Sequence, residues 1–349
     1  MIEFCIFLSS GLFLGWSLGA NDGPNIFGTA VGTKMVKFRT AAIIASICVV
    51  LGAVISGGGT AQTLNKLGAV NAPAGAFMVG LSAALSVYWM NKNKISVSAS
   101  QAIIGAIIGW NIYSGKPTDL SLLSTIVSTW FICPILSGVL AVLLYQLMRF
   151  IIFKSRISLL RLDSYTRAGL ILAGAFGAYA LGANNIADVM GVFISSNPLQ
   201  PITFSNGWSL SSTQVLFFIG AVAIAVGICT YSKKIMQTVG RNICLMSPLA
   251  AWVAVVAPSL VLFLFASKGI NSWLSYHQFP TLPLVPVSIS QSVVGAVIGI
   301  GLLKGSRGIN WSIIRRIFIG WVTTPIMAAV LCFVSLFFLA NVFNLTVYH

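Results

Sequence analysis

Charge is what this chain has least of. Only 7% of its 349 residues are charged, and five acidic residues stand against 20 Lys and Arg. A soluble domain carries about 25% charged residues, so a mean hydropathy of +0.95 makes the bilayer the main solvent. The two histidines are His277, in a Pro-rich loop, and the terminal His349, and neither is placed as a buried proton relay. Cys5, Cys48, Cys133, Cys229, Cys244 and Cys332 are scattered through apolar segments without C-x-x-C spacing. They read as packing residues, with no metal centre or disulfide framework expected. Gly57-Gly58-Gly59 lacks the Lys-Ser/Thr of a P-loop and reads as a helix end. The first residues lack a basic n-region and a small-residue cleavage site, so they read as a membrane segment and not a removable signal.

What is present is apolar sequence, 57% hydrophobic, in ten long stretches near 3–33, 40–59, 73–91, 96–113, 120–152, 166–193, 211–231, 242–266, 284–303 and 313–341. Pro134 and Pro325 can kink or divide theirs, so the count of spans runs from ten to twelve. A re-entrant hairpin near Lys92 and Lys94 stays open. The basic residues cluster in alternate loops: Lys34/Lys37/Arg39, Lys92/Lys94, Arg149 to Arg167, Lys233/Lys234/Arg241 and Lys304/Arg307/Arg315/Arg316. These hold 17 of the 20, leaving Lys66, Lys116 and Lys268 for the other side. The rich side is expected to be cytoplasmic, with both termini outside a cell membrane. This placement also accounts for the net charge of +15 without a nucleic-acid partner. Trp89, Trp110, Trp208, Trp273 and Trp311 fall near stretch ends and read as interface anchors.

The chain repeats itself. Val97-Ser98-Ala99-Ser100-Gln101, then Gly105-Ala106 and Gly109, matches Val287-Ser288-Ile289-Ser290-Gln291, then Gly295-Ala296 and Gly299. Trp130 with Pro134-Ile135 matches Trp321 with Pro325-Ile326. Gly19-Ala20-Asn21-Asp22 matches Gly182-Ala183-Asn184-Asn185. Each half holds five stretches, an odd number, so the second must lie upside down relative to the first. The expected fold is an all-α polytopic membrane protein of two inverted repeats with broken helices. The repeats would be 1–148 and 166–349, joined by a basic cytoplasmic linker at 149–165.

Asp22 and Asp188 are carboxylates inside apolar stretches, where an ionisable residue costs several kcal/mol and points to function. Gly23-Pro24 is expected to break the first helix, with half-helices starting near Pro24 and Ala187. Such N-termini bind anions without a cationic side chain, while Asp, Asn and carbonyl oxygens suit a small hard cation. Packing alone would explain Gly19, Gly23 and Gly182 but not the acids. The Ser-x-Ser-Gln segments can be simple N-caps, and Gly105/Gly109 and Gly295/Gly299 simple packing motifs. Their recurrence in inverted halves favours hydroxyls converging on one ligand.

At these residues the chain resembles the inorganic phosphate transporter (PiT) family, whose halves carry a G-A-N-D-x-x-N-A signature and a later V-S-T-T-H segment. Gly19, Ala20, Asn21, Asp22 and Asn25 match the signature, and the run from Phe27 to Gly32 continues it. The resemblance covers essentially the whole chain and implies ion-coupled oxyanion uptake by a homodimer, with no cofactor. Three departures stand out. Gly23-Pro24 replaces the usual pair, Asn185 and Asp188 exchange acid and amide, and Thr-Thr-His becomes Ala99-Ser100-Gln101 and Ile289-Ser290-Gln291.

The resulting expectation is a symporter importing inorganic phosphate. Asp22 and Asp188 would hold sodium, and Asn21, Asn25, Asn184 and Asn185 would shape the ligand shell. Ser98, Ser100, Ser288 and Ser290 would donate to phosphate, with Gln101 and Gln291 in place of the histidines. Phosphate retains a proton to offer a carboxylate, whereas sulfate offers none. Sulfate as substrate and protons as coupling ion remain alternatives. A passive anion channel and an intramembrane aspartyl enzyme are the rivals from other classes, and the latter lacks its G-x-G-D context.

Overall fold

The computed structural model describes residues 2–68, 70–93, 97–155, 158–205, 207, 209–233, 236, 247–305 and 309–348. Readings resting on Lys94, Arg156, Trp208, Lys234, Arg241, Cys244, Arg307 and His349 lie outside the described residues. In lipid, backbone N–H and C=O groups must be satisfied within the chain, so long apolar runs become helices. Twelve α-helices occur among the described residues: α1 (Ile2–Gly32), α2 (Phe38–Ser56), α3 (Gly58–Gly68), α4 (Pro73–Lys92), α5 (Ala99–Ser114) and α6 (Leu120–Ser155) in the first half. The second half has α7 (Leu159–Met190), α8 (Ser212–Thr230), α9 (Pro248–Ala266), α10 (Lys268–Tyr276), α11 (Ile289–Leu303) and α12 (Trp311–Asn341). A 3-10 turn, Gly191–Phe193, continues α7, and Ile202–Thr203 pairs antiparallel with Ser209–Leu210 before α8. Residues 149–155 close α6 and 159–165 open α7.

Eight of these helices are long and apolar enough to cross a bilayer: α1, α2, α4, α6, α7, α8, α9 and α12. The protein is a nearly all-helical, multi-pass membrane protein. Two of the ten apolar stretches correct the count, because 96–113 and 284–303 form helices of only 16 and 15 residues, α5 and α11. Both start late for a local reason. Ser98 and Ser288 cap them, each hydroxyl accepting the backbone N–H of a glutamine three residues on at 3.3 Å. Before α11, Pro283 and Pro286 further disfavour helix. Pro134 and Pro325 divide nothing, since α6 and α12 run 36 and 31 residues through them.

The expected break at Gly23-Pro24 is not found, because α1 continues from Ile2 to Gly32 with Pro24 inside it. Residues 182–188 likewise lie within α7. Proline's fixed φ is itself helical, and its missing N–H costs one hydrogen bond. Here α8 braces the helix, with Gly19 against the Ile224 carbonyl and Gly227 against the Trp16 carbonyl. The helix interruptions lie elsewhere, at Gly57 between α2 and α3 and at Ser267 between α9 and α10.

Packing repeats between the halves. α1 packs on α8 as α7 packs on α2, and α5 packs on α12 as α11 packs on α6. Similarly, α4 lies on α1 and α12, and α9 lies on α7 and α6. Glycines make these crossings close. A methyl group on Gly105 would drive into the Pro325 carbonyl, and one on Gly295 into the Pro134 carbonyl. Gly182 abuts Val49 as Gly19 abuts Ile224, so the signature glycines serve helix packing.

Trp110 is a further correction. It is fully buried and not an interface anchor, donating from Nε1 to the Val347 carbonyl at 3.1 Å and tying the C-terminal segment to α5. The stretch 96–113 was expected to span and so to end at the surface, but α5 is enclosed by other helices. Trp89, Trp273 and Trp311 are exposed. His277 is exposed at the end of α10, where Nδ1 lies 2.9 Å from the Trp273 carbonyl.

Candidate functional site

Four elements build the site: the signature regions of α1 and α7 and the capped starts of α5 and α11. Asp22 on α1 is 2% exposed, and its Oδ1 accepts from Asn21 Nδ2 at 2.8 Å and from Ser290 Oγ of α11 at 3.4 Å. Asp188 on α7 is fully buried, and its Oδ2 accepts from Ser100 Oγ of α5 at 2.6 Å and from Asn185 Nδ2 at 3.3 Å. Each acid is therefore held by a serine from the other half of the chain. Asn25 Nδ2 donates to the same Ser290 at 3.2 Å, so Ser290 bridges Asn25 and Asp22.

The remaining amides fix the frame. Asn21 Nδ2 donates to the Val97 carbonyl at 3.2 Å, just before the α5 cap. On the other side Asn184 Oδ1 accepts the Val287 N–H at 2.8 Å, just before the α11 cap, and its Nδ2 donates to the Leu262 carbonyl at 3.3 Å. Asn21 and Asn184 thus clamp the two short helices onto α1 and α7. The starts of α5 and α11, and not Pro24 and Ala187, are the helix N-termini at the site, which corrects the expected origin of the anion-favouring dipoles.

Some of the expected residues converge less closely. Ser98 and Ser288 are buried and accept backbone N–H groups as caps, and Ser288's carbonyl also accepts from Ser292 Oγ at 3.0 Å. Gln101 and Gln291 are buried, but both line a separate apolar cavity, and their Oε1 atoms have no hydrogen-bond partner.

Electrostatics sharpen what the site can do. Among the described residues, neither Asp22 nor Asp188 has a Lys or Arg partner, and they share no hydrogen bond with each other. Asp188 Oδ1 and Asn185 Oδ1 are buried and unpartnered. Burying a carboxylate without an opposite charge costs several kcal/mol. The arrangement therefore calls for a bound cation or proton, and it offers free oxygens to receive one.

Thr60 on α3 escaped the reading of the sequence. It is fully buried, and its Oγ1 lies 3.3 Å from the Ala183 carbonyl and 3.2 Å from that of Asn184, supporting the signature backbone from behind. Its only signal was a hydroxyl following Gly57-Gly58-Gly59 at a helix interruption.

Membrane-length helices around two shorter, mostly buried ones, with uncompensated carboxylates where the short ones begin, define a polytopic transport protein. Residues 18–332 match the model of the phosphate transporter family, and the chain belongs to that family. It is a transporter and not an enzyme. A relative from Methanocaldococcus jannaschii named "Putative phosphate permease" is 27% identical over 322 residues, covering 92% of this chain and 93% of that one. A Haemophilus influenzae relative of the same name is 25% identical, with 96% of both chains covered. The fold is similar to a solved structure described as "The sodium-dependent phosphate transporter", with a TM-score of 0.75 and 19% identity, across 97% of this chain and 100% of that one.

Proposed function

We propose that the protein imports inorganic phosphate across the cell membrane, coupled to sodium and working by alternating access. The observation that carries this reading is the crossed pairing of Ser100 with Asp188 and Ser290 with Asp22 at the starts of two short helices. Sodium would occupy the carboxylates, where Asp188 Oδ1 and Asn185 Oδ1 lack partners. Phosphate would lie against the N-termini of α5 and α11, taking donors from Ser100 and Ser290 and from the backbone. Ser98 and Ser288 would contribute by fixing those N-termini. Anion and cation would then neutralise each other in a site without a basic side chain among the described residues. The names carried by the relatives and by the similar structure support the same substrate and ion.

The matched packing of the halves supports two inverted repeats, in which one rocks against the other around a fixed centre. The loop charges support extracellular termini, and the family resemblance supports a homodimer. Uptake of labelled phosphate into proteoliposomes, with and without a sodium gradient, tests the reading. Accumulation that collapses without sodium and resists unlabelled sulfate is expected. Sulfate accumulation, or phosphate uptake driven equally by a proton gradient alone, would overturn the substrate or the ion.

A further inference from the structure

A cavity of about 940 Å³ opens between α6 and α12, with α11 and Gln101 of α5 as its floor. Phe131, Ile135, Val322 and Ile326 line it and are all exposed on the outer faces of α6 and α12. Among the described residues the lining holds no charged side chain. Its polar groups come as two matched pairs, Trp130 with Trp321 and Gln101 with Gln291. All four carry a buried polar atom without a partner: the two indole Nε1 and the two amide Oε1. The glutamines are each 1% exposed, so bulk water does not satisfy them.

The chemistry of these atoms is selective. An indole N–H can only donate and an amide oxygen can only accept. A group that satisfies both must accept and donate at once, and the described walls, which carry no charged side chain, disfavour an ionic head. The volume lies within the range of about 300–1,000 Å³ usual for small-molecule pockets. We infer that this cavity is a binding site for a single-chain bilayer amphiphile with a neutral hydroxyl head. The head lies among Trp130, Trp321, Gln101 and Gln291, and the chain leaves between α6 and α12. Because each glutamine follows directly on Ser100 or Ser290, the occupant braces the back of the two short helices.

The test uses the full-length protein in nanodiscs and a long-chain fatty alcohol bearing a diazirine. Photolabelling should saturate, map to Phe131, Ile135, Val322 and Ile326, and be competed by the unlabelled alcohol. The methyl ether of that alcohol accepts but cannot donate, so it should compete about tenfold less well, the loss of roughly one hydrogen bond. Gln101→Leu with Gln291→Leu should remove the preference for alcohol over ether. The competition on unmodified protein stands alone if that variant fails to fold. Labelling spread evenly onto α2 at Ile43 and Ile47, or equal competition by the ether, would overturn the proposal. So would disulfide cross-links between two copies through Ile135→Cys in the absence of labelling, which would make the groove an interface between chains.

Discussion

Ser100, at the start of α5, donates a 2.6 Å hydrogen bond to Asp188 near the end of α7, across 88 residues of sequence. Its counterpart Ser290 reaches Asp22 across 268 residues at the longer distance of 3.4 Å and is shared with Asn25. The two bonds are equivalent in topology and unequal in strength, and the first prediction follows from the difference. A hydrogen bond to a charged group is worth about 1.5–3 kcal/mol. Ser100→Ala should weaken apparent sodium affinity roughly 10- to 100-fold. Ser290→Ala should weaken it less. The sodium dependence of phosphate uptake by the two variants checks the order.

Asp22→Asn and Asp188→Asn each keep the shape of the side chain and remove the charge. Losing one partner of a buried ion pair costs about 2–5 kcal/mol, so uptake at fixed sodium should fall roughly 30-fold or more. Stability without sodium should be unchanged or raised, because an uncompensated buried charge has gone. Thermal melting in detergent with and without sodium separates these effects. The wild type should gain stability from sodium and the variants should gain less.

Gly105→Ala and Gly295→Ala should each destabilise the fold by about 1–3 kcal/mol through overpacking. The added methyl groups would meet the rigid backbones of α12 and α6 at Pro325 and Pro134. Gly58→Ala is the control, since its methyl group would meet only the Lys268 ammonium at 3.5 Å. Melting temperatures should fall for the first two and hold for the third.

Thr60→Val should cost about 1–3 kcal/mol, because it withdraws a buried donor from the Ala183 and Asn184 carbonyls. The effect should show in amide exchange, with faster exchange across the signature of α7 than in the wild type. Unchanged protection there would mean that the hydroxyl does not support that backbone.

The polytopic helical fold was legible because apolar runs and loop charges obey bilayer physics whatever the tertiary packing. Asp22 and Asp188 stood out for the same reason, as charges where lipid tolerates none. Pro24 misled because its helix-breaking tendency is local, whereas α8 packing along α1 decides the outcome. The stretches 96–113 and 284–303 looked like spans by hydropathy, which cannot tell a lipid-facing helix from one enclosed by other helices. Trp110 was misplaced with them. Thr60 was invisible because, beside the local Gly57 carbonyl, its partners are backbone carbonyls 123 and 124 residues away, a relation without local pattern.

The central claim is that one site holds phosphate and sodium together, so each must strengthen the binding of the other by the same factor. Labelled sodium binding to the purified protein, measured across phosphate concentrations, tests it most directly. Sodium affinity should rise with phosphate, and Ser100→Ala should weaken that coupling. Sodium binding indifferent to phosphate, or phosphate binding equally well without sodium, would contradict the account.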